Sequence, residues 1–194
     1  MSSTKKLWLG LTALLVVSFS ALLWVGSEIH RVMPPIPDKV LTTSGDVVFT
    51  KEDIQTGRVV WQSIGGQQLG SIWGHGGYVA PDWTADWLHR EAVDILDQWA
   101  RRDHQAASYE ALGAPEQAAL SARLQAMMRP NTYDAETRSV VIDDERAIAI
   151  ANVSAHYQSL LGNDPATAEL RENYAMKNNT VPDADHRRAM TSFY

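Results

Sequence analysis

The chain has 194 residues, with 17 Lys and Arg against 23 Asp and Glu, no Cys, and a net charge of -6. That acidic balance excludes a nucleic-acid binder, which needs a basic face to meet phosphates. The absence of cysteine excludes disulfides, thiolate metal sites, iron–sulfur clusters and thioether-linked haem, and the length suits one domain with additions.

The first element is "KKLWLGLTALLVVSFSALLWVGSE", uncharged between Lys6 and Glu28. Roughly twenty such residues cross the hydrocarbon core as a helix. Trp8 and Trp24 sit near its two ends, where amphipathic rings favour the interface. Lys5 and Lys6 precede it, so the positive-inside rule puts the N-terminus in the cytoplasm and everything after Glu28 outside. A cleaved signal peptide is the rival, but its apolar region is ~7–15 residues long with a small-residue cleavage site. This run is longer and ends "LLWVGSE". Residues 1–28 are therefore expected to be a retained anchor.

Pro34, Pro35 and Pro37 deny residues 29–39 a helix and predict a stiff, extended spacer. "VLTTSGDVVFT" predicts a small hairpin about Ser44-Gly45. Thr50, with Asp53 three residues on, predicts a capped helix that ends at Gly65-Gly66. Beyond the glycine-rich loop, Thr84 is expected to cap a second helix from Ala85 to Leu112, with Leu88, Ala92, Ile95, Leu96 and Trp99 buried. Gly113 stops it, and Pro115 opens a third helix through Met128. "NTYDAETRSVVI" predicts a hairpin turning near Asp134–Thr137. A fourth helix starts at Asp143 or Asp144, with Ala147, Ile148, Ala151, Ala155 and Leu160 or Leu161 as its inner stripe, and stops at Gly162. These elements define one domain over residues 40–162. Residues 163–194 are expected to be a polar connector, helical in its middle, leading toward a further membrane span.

Local chemistry is sparse. None of His30, His75, His89, His104, His156 and His186 pairs with another at the spacing of a helix-borne metal site. Five are expected at surfaces or caps, and His75 lies in the glycine-rich loop. Asp82, Asp86 and Glu91 suit an oxygen-rich calcium site, and equally suit the first turns of a helix, where the dipole favours negative charge. No acyl-transfer triad is present, and the strand that a nucleotide-binding glycine loop requires is missing. What stands out is "WQSIGGQQLGSIWGHGGYVAPDW", where Gly65, Gly66, Gly70, Gly74, Gly76 and Gly77 interleave with Trp61, Trp73, Tyr78 and Trp83. The glycines let the backbone take positive φ or approach something closely, and the aromatics make the loop pack. That combination suits docking of another surface or a large planar group.

The order of anchor, "MPPIP" spacer, this loop continuing as "TADWLHRE", and a helical domain resembles the N-terminal region of quinol-dependent nitric oxide reductases of the haem–copper oxidase superfamily. The resemblance covers essentially the whole chain, and residues 61–91 carry nearly all its specificity. In the related two-subunit enzymes the corresponding region is a membrane-anchored cytochrome c, whose pattern looks like "WQ", three residues, "CxxCH", then "TLLGEGAYYAPEL". Laid without gaps, its Trp-Gln falls on Trp61 and Gln62. Its haem-linking cysteines fall on Gly66 and Leu69, its haem-ligating histidine on Gly70, and "GEGAYYAPE" on Gly74 through Asp82. The frame is kept while every haem c attachment residue is replaced, as in the quinol-dependent branch. The resemblance further implies a calcium ion at the interface, bridging haem propionates of the catalytic part, to which Gly76 would give its carbonyl and Tyr78 an oxygen.

The resemblance implies a mostly α fold: one N-terminal transmembrane helix, then a cytochrome c-like helical domain with minor β-hairpins. It implies a parent chain that reduces two nitric oxide molecules to nitrous oxide and water with electrons from quinol, in a bacterial inner membrane with this domain periplasmic. Haem b, haem b3 and non-haem iron would lie in a downstream transmembrane bundle, and this segment, with no catalytic residues of its own, would cap it. Expected partners are the membrane, that bundle, quinol and a second copy of the chain. Denitrification and detoxification both stay open. The alternative is a free-standing anchored interaction module without chemistry. A cytochrome holding haem noncovalently lacks an axial histidine at the matching place.

Overall fold

The computed structural model describes residues 3–72, 74 and 81–194. The chain divides into two compact units, Met1–Ile36 and Pro37–Tyr194. The first holds helix α1 (Ser3–Val32), which is long and apolar enough to cross a membrane. At 1.5 Å per residue it extends about 45 Å. It carries the helical path past Glu28 into the stretch expected to be extended, and stops ahead of Pro34.

The second unit is mostly helical with one small sheet. Strands β1 (Lys39–Thr42) and β2 (Val47–Thr50) form the expected hairpin, and Gly45 at φ +94° supplies the left-handed turn residue. Strands β3 (Tyr133–Asp134) and β4 (Ser139–Ile142) form the second hairpin. The two hairpins join because β1 and β4 pair in parallel, Lys39 opposite Ser139 through Thr42 opposite Ile142, which gives the order β2-β1-β4-β3. Helix α2 (Lys51–Ser63) starts at a capping box: Asp53 N–H donates to the Thr50 hydroxyl, and Thr50 N–H donates to the Asp53 carboxylate at 2.8 Å.

Helix α3 (Trp83–His104) departs from expectation at both ends. Its cap is Asp82, not Thr84, whose carboxylate accepts from Ala85 N–H at 3.0 Å. It ends eight residues before Leu112 because Gln105 turns left-handed at φ 54° and Ala106 N–H reaches back to the Ala100 carbonyl, a Schellman-type stop without glycine. The Asp97 carboxylate then captures Tyr109 N–H at 2.7 Å, which folds the chain back along the helix. The buried face of α3 is Trp83, Trp87, Glu91, Ile95, Leu96, Trp99 and Ala100, with Leu88 left exposed.

Helix α4 (Ala114–Met128) carries Pro115 in its first turn, and α5 (Asp144–Leu161) follows β4. Its buried stripe is Ala149, Ile150, Val153, Tyr157, Leu160 and Leu161. The expected stripe holds at its C-terminal end, where Leu160 and Leu161 are buried, and is rotated out before it: Ala147 is half-buried, and Ile148, Ala151 and Ala155 face solvent. Alanines confer no direction on a helix, and the larger Ile150, Val153, Tyr157 and Leu160 bury more apolar area per position.

Residues 163–194 belong to the same compact unit as the residues before them. Helices α6 (Ala168–Asn173) and α7 (Ala184–Thr191) are packed in, and Val181 and Met190 form a core cluster with Leu161. Gly57 is why α7 can lie close on α2: a methyl there would overlap the Ala189 carbonyl and stand 2.9 Å from the Ser192 hydroxyl. Arg171, 2% exposed, ties this region together by donating to the carbonyls of Ser159 and Asp164, to the Thr167 hydroxyl and to the Asn178 side-chain oxygen.

Candidate functional site

Helix α2 ends where Gly65 turns left-handed at φ 71°, and a short 3-10 turn spans Gly66–Gln68. Gly66 and Gly70 are buried. A methyl at Gly66 would overlap the five-membered ring of Trp61. A methyl at Gly70 would meet Trp83 Cε2 at 2.6 Å and the Pro81 carbonyl at 2.8 Å. Leu69, between them, packs against both neighbouring clusters. The three positions singled out in the sequence therefore sit side by side, each pressed against the domain interior.

Trp83 is fully buried and organises that interior. It lies edge-on to Tyr157 and Tyr174, with ring centroids at 5.8 and 5.9 Å, and stacked on Tyr194 at 6.1 Å. Tyr157 stacks on Trp87 at 5.4 Å with the planes 3° apart, and meets Tyr194 edge-on at 5.3 Å. Trp61 contacts Phe193 at 5.8 Å. The Nε1 atoms of Trp61 and Trp83 and the Tyr194 hydroxyl are buried without a hydrogen-bond partner among the described residues. Burial pushes the Tyr194 phenol well above its usual range.

The far end of the loop is held by Asp82. Its carboxylate accepts from the Ser71 hydroxyl at 2.6 Å, from Gly74 N–H at 2.8 Å and from the start of α3, while Trp83 N–H donates to the Ser71 carbonyl at 2.9 Å. Burial works to raise the Asp82 pKa, but the hydrogen bonds from Ser71, Gly74, Ala85 and Thr84 outweigh it and hold the carboxyl below its ordinary range. One turn on, Asp86 accepts from the Tyr157 hydroxyl at 2.5 Å and from Arg90 Nε at 2.7 Å. Glu91, 1% exposed, accepts from Arg146 Nε at 2.7 Å.

The three carboxylates considered for calcium thus have separate protein partners, and among the described residues no group of three or more His, Asp or Glu is placed to hold a metal ion. Gly76 and Tyr78, and with them His75, Gly77 and Trp73, lie outside the described residues. His89 and His104 are exposed as expected. His156 is not a surface group: it is half-buried, edge-on to Tyr157 at 5.5 Å, with Nε2 unpartnered. Burial first, then the nearby Arg90, pulls its pKa down against the opposing pull of Asp86. It borders a cleft of about 290 Å³ between α3 and α5 with His89, Asp94 and Asn152.

Sequence reasoning missed Tyr157, Tyr174, Tyr194, Arg90 and Arg146. Arg90 had a signal, four residues after Asp86 on one helix. Tyr157 had only its offset of four from Val153.

A cytochrome c-like frame raises the fit of a haem. Covalent attachment needs two thiols and an axial ligand. Gly66 and Leu69 offer no thiol and Gly70 no imidazole, and the indoles of Trp61 and Trp83 occupy the space where side chains at 66 and 70 would project. These residues do not fit haem c. Comparison with curated proteins gives no significant match. A family model described as the cytochrome c-like domain of the nitric oxide reductase protein NorB matches residues 37–194. The match covers the whole of the second compact unit, and the chain belongs to the NorB cytochrome c-like domain family of nitric oxide reductases.

Proposed function

We propose that this chain is the membrane-anchored external cap of a quinol-dependent nitric oxide reductase, a cytochrome c-like domain that covers the catalytic bundle and takes no part in electron entry. The observation that supports it is the packing at Gly66 and Gly70, where indoles press on both glycines, at positions that the resemblance would give, with Leu69, to haem attachment. A domain without haem c cannot accept electrons from a soluble cytochrome, so a donor that reaches the membrane part directly, a quinol, suits the enzyme. Haem b, haem b3 and non-haem iron then belong to the transmembrane part of the parent protein, which performs the reduction of nitric oxide. Helix α1 holds the domain at the cytoplasmic membrane, with Lys5 and Lys6 on the inner side and the domain outside. The loop through Gly76 and Tyr78 serves docking, with calcium as a bridging ion. A second copy of the chain is a further partner.

The test uses the full-length reductase. A reduced quinol analogue should support nitric oxide consumption, reduced cytochrome c should not, and the reduced spectrum should lack a c-type haem band. Turnover with cytochrome c as sole donor, or a c-type band, would overturn the reading. For calcium, Tyr78→Phe should lower the metal content of the purified enzyme, and unchanged content with unchanged activity would remove that part alone.

A further inference from the structure

The ring cluster at the centre of the domain contains one phenol unlike the others. Tyr157 is fully buried and donates at 2.5 Å to the Asp86 carboxylate, which Arg90 keeps paired at 2.7 Å. Its ring stacks on Trp87 and touches Trp83 and Tyr194, with centroids 5.3–5.8 Å apart. Tyr194, by contrast, is buried with its hydroxyl unpartnered. A phenol that loses an electron must lose its proton or become a cation, and an uncompensated cation in an apolar core is costly. Tyr194 has no acceptor for that proton among the described residues, whereas Tyr157 has one within a short hydrogen bond.

We propose that Tyr157 is a one-electron redox site: an oxidising equivalent that enters the ring cluster settles there as a neutral tyrosyl radical, with Asp86 as proton acceptor. The physiological oxidant is a nitrogen-oxide radical, nitrogen dioxide, formed where nitric oxide meets dioxygen. Trp87, 6% exposed, gives one electron to nitrogen dioxide, which leaves as nitrite. The Trp87 radical cation takes one electron from Tyr157. The Tyr157 O–H bond breaks as an O–H bond forms on Asp86. The balance is one phenol, one carboxylate and one nitrogen dioxide converted to one phenoxyl radical, one carboxylic acid and one nitrite. Burial, then the hydrogen bond to Asp86, keeps the phenol from ionising on its own, so proton and electron leave together. The cluster thereby draws a damaging hole away from the Trp87 indole. The assignment of Tyr157 uses only residues of this domain, while the choice of nitrogen dioxide as oxidant rests on the nitric oxide reductase reading.

The test is light-driven oxidation of the full chain in detergent micelles with tris(bipyridyl)ruthenium and persulfate, followed by freeze-quench electron paramagnetic resonance. Wild type should give a neutral tyrosyl signal. Tyr157→Phe should lose it, while Tyr174→Phe and Tyr194→Phe should keep it. Asp86→Asn, which retains Tyr157 and the shape of its partner, should replace the tyrosyl signal with a tryptophanyl one, and Asp86→Glu should restore it. Circular dichroism checks that each variant is folded. A tyrosyl signal that survives both Tyr157→Phe and Asp86→Asn would overturn the proposal and leave the cluster as core packing. Should Tyr157→Phe not fold, the Asp86 pair decides the matter in the same way.

Discussion

The packing of Trp83 against Gly70 makes a quantitative prediction. In Gly70→Ala the added methyl would lie 2.6 Å from Trp83 Cε2 and 2.8 Å from the Pro81 carbonyl. Neither neighbour can yield easily: Trp83 is 0% exposed and held by three tyrosine rings, and the second contact is backbone. Overpacking of this kind costs about 1–3 kcal/mol, and the upper end applies here, about 3 kcal/mol. Gly66→Ala meets the ring of Trp61, which is half-buried, so that ring can shift and the cost should be about 1 kcal/mol. Gly74→Ala is the control, because none of the described residues lies within 4 Å of its added methyl, and its effect should stay within about 0.5 kcal/mol.

The assay is urea unfolding of the full chain in detergent micelles, followed by tryptophan fluorescence and compared at constant m. The expected order of destabilisation is Gly70→Ala, then Gly66→Ala, then Gly74→Ala. Combining Gly70→Ala with Trp83→Phe should cost less than the sum of the two, because the smaller ring vacates the space the methyl needs. If Gly70→Ala is as stable as Gly74→Ala, Trp83 does not press on this loop, and the account of the site fails with it.

Other positions give independent checks. Installing Cys at 66 and 69 and His at 70 should yield no c-type haem band when the chain is made together with cytochrome c maturation machinery, because Trp61 and Trp83 fill the place; a Soret band would refute this. Arg171→Met should cost about 2–3 kcal/mol in the same urea titration, because it removes the buried guanidinium's hydrogen bonds to the Ser159 and Asp164 carbonyls, the Thr167 hydroxyl and the Asn178 side chain, and an unchanged midpoint would contradict the buried network. Asp82→Ala should remove about 1–2 kcal/mol near neutral pH. The folded pKa of Asp82 is depressed, so its share is present above the unfolded value of about 3.9 and disappears as pH falls through the lower folded value. The wild-type and Asp82→Ala unfolding midpoints should converge in strong acid. His156 titrates with the same sign: its folded pKa lies below the unfolded value of about 6.5, so the unfolded chain takes up the proton first and stability declines on acidification through that window. His156→Phe should flatten the slope there, and an unchanged slope would assign it elsewhere.

Elements with local causes were legible in the sequence. The Thr50–Asp53 capping box, the turn at Gly45, Pro115 in the first turn of α4 and the 133–142 hairpin each depend on neighbours within a few residues. What escaped depends on distant partners. The parallel pairing of β1 with β4 joins residues one hundred apart, and nothing local distinguishes it from two free hairpins. The early end of α3 is set by Asp97 catching Tyr109, which overrides a sequence still able to stay helical. The rotation of α5 was hidden because alanines occupy both faces. At the site, Gly66, Leu69 and Gly70 stood out in the sequence, but their packing did not, since Trp61 and Trp83 reach the two glycines from helices on either side of the loop.

That pairing accounts for the composition of the loop. Phe, Tyr and Trp each bury about 150–250 Å², so the cluster of Trp83, Trp87, Tyr157, Tyr174 and Tyr194 supplies apolar area on the scale a large planar group would otherwise provide. An indole can lie flat against backbone only where no Cβ intervenes, which is the condition at Gly66 and Gly70. Glycine and tryptophan are therefore coupled here, because each glycine leaves the space that its indole fills. A cysteine at 66 or a histidine at 70 would meet the ring before it met a haem. The bare backbone at 66 and 70 and the indoles that press on it form one packing unit, with which the domain holds its centre by its own rings.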